Sequence, residues 1–250
     1  VAAETVGCVS VICSDKTGTL TENDMKTERI NGEFGKNSEK NILLNSAINS
    51  SAVLKTDGSS VKVFGSATEG ALIKRALKSG IDYEKMRDKR LIGGVLPFDS
   101  AVKYMATEYF QNGKSTIFLK GAPEKVLPLT FSKEQSESIL SEIAVFQKQG
   151  KRVIAFARKT GEPFCGDLSR EVKSGGFTYD GYAVIADPVR KDVALSVAAC
   201  KKAGIDVKMM TGDNPVTAAA IAMETGIITS SDEVVMADEI EAMPMDVLKE

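Results

Sequence analysis

Cys13-Ser14-Asp15-Lys16-Thr17-Gly18-Thr19-Leu20-Thr21 decides how this chain is read. It grows out of Val9-Ser10-Val11-Ile12, and the apolar run through Ser14 predicts a buried strand. Asp15 then stands at the strand's C-terminal end, where open α/β sheets place their ligands. Small hydroxyl residues and Gly18 follow, so the turn can close around an anion with backbone N–H groups as donors. The chemistry that fits is a carboxylate displayed for attack on a phosphoryl group. An Asp that merely caps its loop is the plainer alternative.

A second strand end has a similar design. Ile205 to Met210 predicts a strand, and Thr211-Gly212-Asp213-Asn214 follows it. A hydroxyl and a glycine before a helix N-terminus make an anion-binding corner. Asn214 is placed to cap that helix, with Pro215 at its first position and Gly226 near its end. Between the two motifs, Tyr182 to Ala186 reads as a buried strand that ends in Asp187-Pro188-Val189-Arg190. Lys191 to Ala203 reads as an amphipathic helix stopped by Gly204, and Glu233 to Ala237 as a further strand. Strand, helix, strand, helix, strand predicts a parallel, doubly wound sheet. The strand before Asp15 must join it, so this domain is discontinuous.

The nine residues from Cys13 to Thr21 match the phosphorylation signature of the P-type ATPases, the ion pumps that pass through an aspartyl-phosphate. The chain resembles that family. Thr211-Gly212-Asp213 resembles the same family's Thr-Gly-Asp element, shared with the wider haloacid dehalogenase fold. Asp187-Pro188-Val189-Arg190 resembles its Asp-Pro-Pro-Arg hinge, with Val189 for the second proline.

Composition agrees with a folded domain rather than a disordered tail. The 250 residues are 43% hydrophobic, enough for a real core, and allow one large or two modest domains. A net charge of −2 gives no electrostatic case for nucleic acid. The absence of histidine removes a Ser-His-Asp triad and His-based zinc sites, and with them the His-Pro pair of the heavy-metal pumps. Cys8, Cys13, Cys165 and Cys200 lack metal-ligand spacing and suit a reduced, cytosolic compartment. No apolar run approaches the roughly 20 residues of a membrane span. The resemblance to the ion pumps then implies a cytoplasmic piece of a larger membrane protein, partnered by the transmembrane helices and actuator domain of the same polypeptide.

The segment 26–181 has a pattern of its own, inserted into the first. Asn23 to about Lys40 is polar and irregular. Asn41 to Leu54 and Thr68 to Ser79 read as helices, and Ser132-Lys133-Glu134-Gln135 opens another with a capping box. Strands are expected near 61–64, 90–96 and 153–158. Those at 102–110 and 115–120 flank Asn112-Gly113, a strong hairpin signal. An antiparallel sheet with helices packed on it follows. Gly113-Lys114-Ser115 is no P-loop, because Glu108 stands where the first glycine belongs.

The expected fold class is thus α/β. A haloacid dehalogenase-like phosphorylation domain (1–25 and 182–250) carries an inserted α+β nucleotide-binding domain (26–181). The resemblance assigns the site. Asp15 is the nucleophile, flanked by Lys16 and Thr17. Thr211, Gly212 and Asp213 face the transferred phosphoryl group. Mg²⁺ is held by Asp15 and the Thr17 carbonyl. For ATP it assigns Phe98 to stack on adenine, Glu69 to accept from its amino group, and Lys120 with Gly121 to line the ring. Met105 becomes a pocket wall, Lys103 and Arg152 reach the phosphates, and Asp187 and Arg190 lie near the nucleotide. Ser100 departs from the pattern, since some relatives have an Arg there. Thr17 stands where many phosphatases of this fold carry a second Asp as general acid/base, which disfavours rapid hydrolysis of an acyl-phosphate.

A later Lys and a Gly-Asp-Gly-x-Asn-Asp segment of the family lie outside these 250 residues. The phosphorylation domain is accordingly expected to be incomplete at its C-terminus, and the piece to bind ATP weakly and label poorly. Ca²⁺ is the first choice of transported ion. A soluble dehalogenase-type phosphatase and a nucleotide-binding module without catalysis remain alternatives.

Overall fold

The structure is a computed structural model. It describes residues 8–32, 34–35, 37–57, 60–163, 166–212 and 215–244. In chain order the elements are β1 (Val11–Asp15), β2 (Lys26–Asn31), α1 (Ser38–Ile48), β3 (Val53–Asp57), β4 (Ser60–Phe64), α2 (Ala67–Lys78) and α3 (Tyr83–Met86). There follow β5 (Ile92–Leu96), β6 (Tyr104–Gln111), β7 (Lys114–Gly121), α4 (Pro123–Val126), α5 (Lys133–Lys148) and β8 (Arg152–Gly161). The chain continues through α6 (Leu168–Lys173), β9 (Thr178–Ala186), α7 (Val193–Lys202), β10 (Asp206–Met210), α8 (Pro215–Glu224) and α9 (Ala237–Ala242). Two compact units result. One comprises Val1–Asn23, Gln147–Lys151 and Asp187–Glu250; the other comprises Asp24–Phe146 and Arg152–Ala186.

The larger unit is built on a six-stranded sheet, in the order β2-β9-β8-β7-β6-β5, antiparallel at every pairing. The pleat sends alternate residues to opposite faces. Tyr104, Ala106, Ile117, Leu119, Ala155 and Ala157 pack on one face with Val126, Leu168 and Val172. On the other, Phe156, Ala183 and Ile185 meet Ile42 of α1 with Ala71 and Leu72 of α2. Asn112 (φ 53°) and Gly113 (φ 74°) form the tight β6–β7 turn expected of Asn-Gly. The α5 capping box also forms: Gln135 N–H donates to Ser132 Oγ and Ser132 N–H to Gln135 Oε1.

Several expectations are corrected. Residues 182–186 do form a buried strand, but as part of β9, antiparallel between β2 and β8. A short, fully apolar run reads alike in either kind of sheet. The polar stretch after Asn23 contains β2, an edge strand whose charged residues face outward. The helix begun near Asn41 ends at Ile48, because Asn49 (φ −87°, ψ 70°) leaves helical geometry and Val53 opens β3. At 233–237 no strand forms; a single 3₁₀ turn (Ser231–Glu233) leads to α9.

In the smaller unit, β1 and β10 pair in parallel, Val11 opposite Asp206 through Asp15 opposite Met210. Its core joins Leu20, Val193, Val197, Val207, Ala222 and Ile227. Among the described residues the parallel sheet consists of this pair alone. The strand before Asp15 was expected to be buried, yet Val11 and Ile12 are exposed, since β10 is the one neighbour described for it and the core packs on β10.

Candidate functional site

The β1–β10 register makes Asp15 the last residue of its strand, directly opposite Met210. Thr211 and Gly212 are therefore the first residues past the neighbouring strand end, on the same edge. Asp15 is exposed and extended (φ −73°, ψ 150°). After it, Lys16–Leu20 wind into one wide turn that breaks helical geometry at Thr17 (ψ 120°) and Gly18 (φ 77°). Gly18 is needed there, since a left-handed backbone disfavours a side chain. Gly212 differs. A side chain at Gly212 would meet none of the described atoms within 4 Å, so local packing does not demand glycine. It leaves room for a ligand to approach the backbone. Asp213 lies outside the described residues.

The Asp187–Arg190 segment holds this loop. Arg190 donates through Nε to Thr21 O at 3.1 Å and through Nη2 to Gly18 O at 3.0 Å. Its backbone N–H reaches Leu20 O at 2.9 Å, and Glu22 N–H reaches Pro188 O at 2.9 Å. Fully buried Thr21 donates its hydroxyl to Asp187 Oδ2 at 2.6 Å and accepts from Gly18 N–H at 3.3 Å. Asp187 and Arg190, expected as hinge and nucleotide-proximal residues, both bond to the loop that follows Asp15. Thr21, which fastens it, was quoted in the motif without a role. Nothing in the sequence marks its hydroxyl as buried. Lys16 is buried at the loop's start.

In the larger unit, β6 and β7 set Met105 directly opposite Lys120, so their side chains share a face of the sheet. The Lys120 and Glu69 side chains are only 5% and 11% exposed and pair at 2.8 Å. Burial raises the Glu69 carboxyl, but the Lys120 charge and hydrogen bonds from Lys120 and Ser51 outweigh it, leaving the carboxyl below its ordinary 4.5. Burial pulls the Lys120 ammonium down against the opposing pull of Glu69. Ser66 caps α2 through the Glu69 N–H, which places Glu69 on the first turn. Arg152, at the start of β8, donates to Thr68 Oγ1 at 3.0 Å and so joins the same corner.

Phe98 projects from the β5–β6 loop with 60% of its surface exposed, an unusual state for a large aromatic side chain. Lys103 ends that loop in a left-handed conformation (φ 58°). Its N–H donates to Asp99 O at 2.7 Å, its carbonyl accepts from Ala122 N–H at 2.9 Å, and its ammonium lies 3.6 Å from Glu124. A side chain on Gly121 would come within 2.4 Å of the Lys103 carbonyl, so that glycine is what lets the loop return over β7. Phe98, Lys103, Met105, Lys120, Gly121, Glu69 and Arg152 thus lie on adjoining strand ends, loops and a helix start of one unit.

Residues 37–192 match the family model described as P-type ATPase, cytoplasmic domain N. The chain is 32% identical to the probable cation-transporting ATPase F of Mycobacterium tuberculosis, over 92% of its own length and 30% of that protein's. It is 32% identical to calcium-transporting ATPase 1 of Lactococcus lactis, over 100% of its length and 30% of the relative. The putative plasma membrane-type calcium-transporting ATPase 11 of Arabidopsis thaliana is again 32% identical, over 97% of this chain and 26% of that protein. The chain therefore spans under a third of the length of these relatives. Among the described residues no helix is long and apolar enough to cross a membrane. From residues 37 to 192 by family model, and across nearly its whole length by identity, the chain belongs to the P-type ATPase family.

Proposed function

We propose that this chain is the catalytic piece of an ATP-driven cation pump, with Ca²⁺ as the transported ion. The smaller unit is the phosphorylation domain, of haloacid dehalogenase type, and the larger one binds the nucleotide. The observation that carries this reading is the β1–β10 register, which sets Asp15 and the Thr211-Gly212 corner on one edge. Two of the three named relatives are called calcium-transporting, which supports the ion.

In this reading Phe98 offers a π-face to adenine and Glu69 accepts from its amino group, while Met105 and the Lys120 stem line the ring. Lys103 and Arg152 take the phosphates. The Asp15 carboxylate attacks the γ-phosphorus in line; the bond to the β-phosphate oxygen breaks and ADP departs with that electron pair. The hydroxyl of Thr211 and the Gly212 N–H meet the transferred group. The Asp15 carboxylate and the Thr17 carbonyl are hard oxygen donors suited to Mg²⁺, which when bound supplies charge neutralisation for the phosphates. Thr17 carries no acid to speed hydrolysis, so the aspartyl-phosphate persists long enough to drive transport.

The test is phosphoryl transfer from γ-labelled ATP in the membrane protein that contains this chain. An acid-stable, hydroxylamine-sensitive label is expected on Asp15 and is lost in Asp15→Asn. Label that survives this substitution overturns the assignment. A phosphatase of the same fold would need no adenine site, so activity indifferent to Phe98→Ala favours that second reading.

A further inference from the structure

Glu69 stands at the third position of a helix capped by Ser66, where a capping box would turn its carboxylate back onto the cap's own N–H. It turns elsewhere. Oε2 accepts twice from Ser51, from the N–H at 3.1 Å and from Oγ at 2.7 Å, which leaves Oε1 to face Lys120 Nζ at 2.8 Å. We infer that Ser51 is a positioning residue for base recognition: by gripping one carboxylate oxygen of Glu69 from two directions, it fixes where the other oxygen and the Lys120 ammonium stand. The inference rests on the adenine reading proposed above and names the residue that sets its geometry.

The turn that carries Ser51 is built to hold still. On one side Asn49, fully buried, donates from Nδ2 to Met105 O and Phe118 O, both at 3.2 Å, which ties the turn to the strands bearing Met105 and Lys120. On the other side Arg87 donates through Nε to Ala47 O and through Nη1 to Ala52 O, each at 2.7 Å. The guanidinium lies 4.8 Å from the Tyr83 ring centroid, and the Tyr83 hydroxyl bridges the N–H and carbonyl of Leu54 at 3.1 Å. The turn is thereby fastened before and after Ser51. A hydroxyl on a rigid turn is a fixed donor, and a fixed donor orients its acceptor.

Equilibrium binding of ATP and ITP to this chain tests the inference. Inosine carries a carbonyl where adenine carries its amino group, so it lacks the donor that Glu69 would accept. Wild type is expected to prefer ATP. Ser51→Ala is expected to lose about tenfold in ATP affinity while ITP stays within about twofold, the size of one charge-assisted hydrogen bond acting on the base alone. Ser51→Thr keeps the hydroxyl and should restore the preference. Should Ser51→Ala fail to fold, Ser51→Cys, which keeps the volume and weakens the donor, carries the same comparison. A purely architectural Ser51 would weaken both nucleotides together or neither, and either result overturns the inference. Wild type that binds ATP and ITP alike overturns it while leaving nucleotide binding intact. Wild type that binds neither removes the nucleotide reading and the inference with it.

Discussion

Breaking the Lys120–Glu69 pair from one side should cost more than removing both partners. Each group is buried, and a lone buried charge has no water to compensate it. Glu69→Gln is expected to destabilise the larger unit by about 3–5 kcal/mol, whereas Glu69→Leu with Lys120→Met restores most of that, as read by urea unfolding. The pair also has an acid signature. The folded Glu69 carboxyl lies below its ordinary 4.5, so its contribution is complete above that value and drains away as pH falls through the folded pKa. Glu69→Gln should therefore show a flatter loss of stability than wild type below pH 4.5. Gly121→Ala is expected to cost about 1–3 kcal/mol, because the added methyl must displace the Lys103 carbonyl rather than a flexible side-chain tip. At this scale the motif residues were legible. Asp15, Thr211 and Lys120 lie in short contiguous signatures. Ser51, Asn49 and Arg87 were not, since an Asn-Ser-Ser run reads as an ordinary turn and its partners come from strands and helices far along the chain.

Among the elements, α1 binds the sheet through amides as well as apolar packing. Asn45 Nδ2 donates to Leu119 O at 3.0 Å and to Ala157 O at 3.3 Å, and the Thr107 hydroxyl donates to Asn49 Oδ1 at 3.0 Å. Both asparagines are fully buried, so each removed amide strands polar groups without water. Asn45→Leu and Asn49→Leu are each expected to lower stability by about 1–3 kcal/mol in thermal melts, despite adding apolar surface. Helix periodicity located α1 but overran its end, because the residue that stops it does so by bonding to a sheet rather than through a glycine or proline signal. The β6–β7 hairpin and the α5 cap were legible because their chemistry is local. β2 and the sheet membership of β9 were not, because strand partners are chosen by tertiary packing. The 233–237 segment shows the converse error: Val234 and Val235 favour strand, yet nothing among the described residues pairs with them.

Across the molecule, the candidate site residues fall into the two compact units. One displays a carboxylate at a strand end beside a glycine corner; the other gathers an exposed aromatic, a buried acid–base pair and two cationic side chains. Membership of the P-type ATPases was legible from nine residues, and the inserted antiparallel sheet from the order of its strands. The bonds of Asp187 and Arg190 were not, because a hinge motif read alone does not disclose that its guanidinium grips the loop after Asp15. The most direct measurement is ATP titration of this chain followed by ¹H–¹⁵N chemical shifts, compared with Phe98→Ala. Saturable shifts are expected at Phe98, Lys103 and Met105, with an affinity that falls by about tenfold when the stacking ring is removed. Binding that is indifferent to Phe98→Ala, or shifts confined to residues far from these three, would contradict the nucleotide reading.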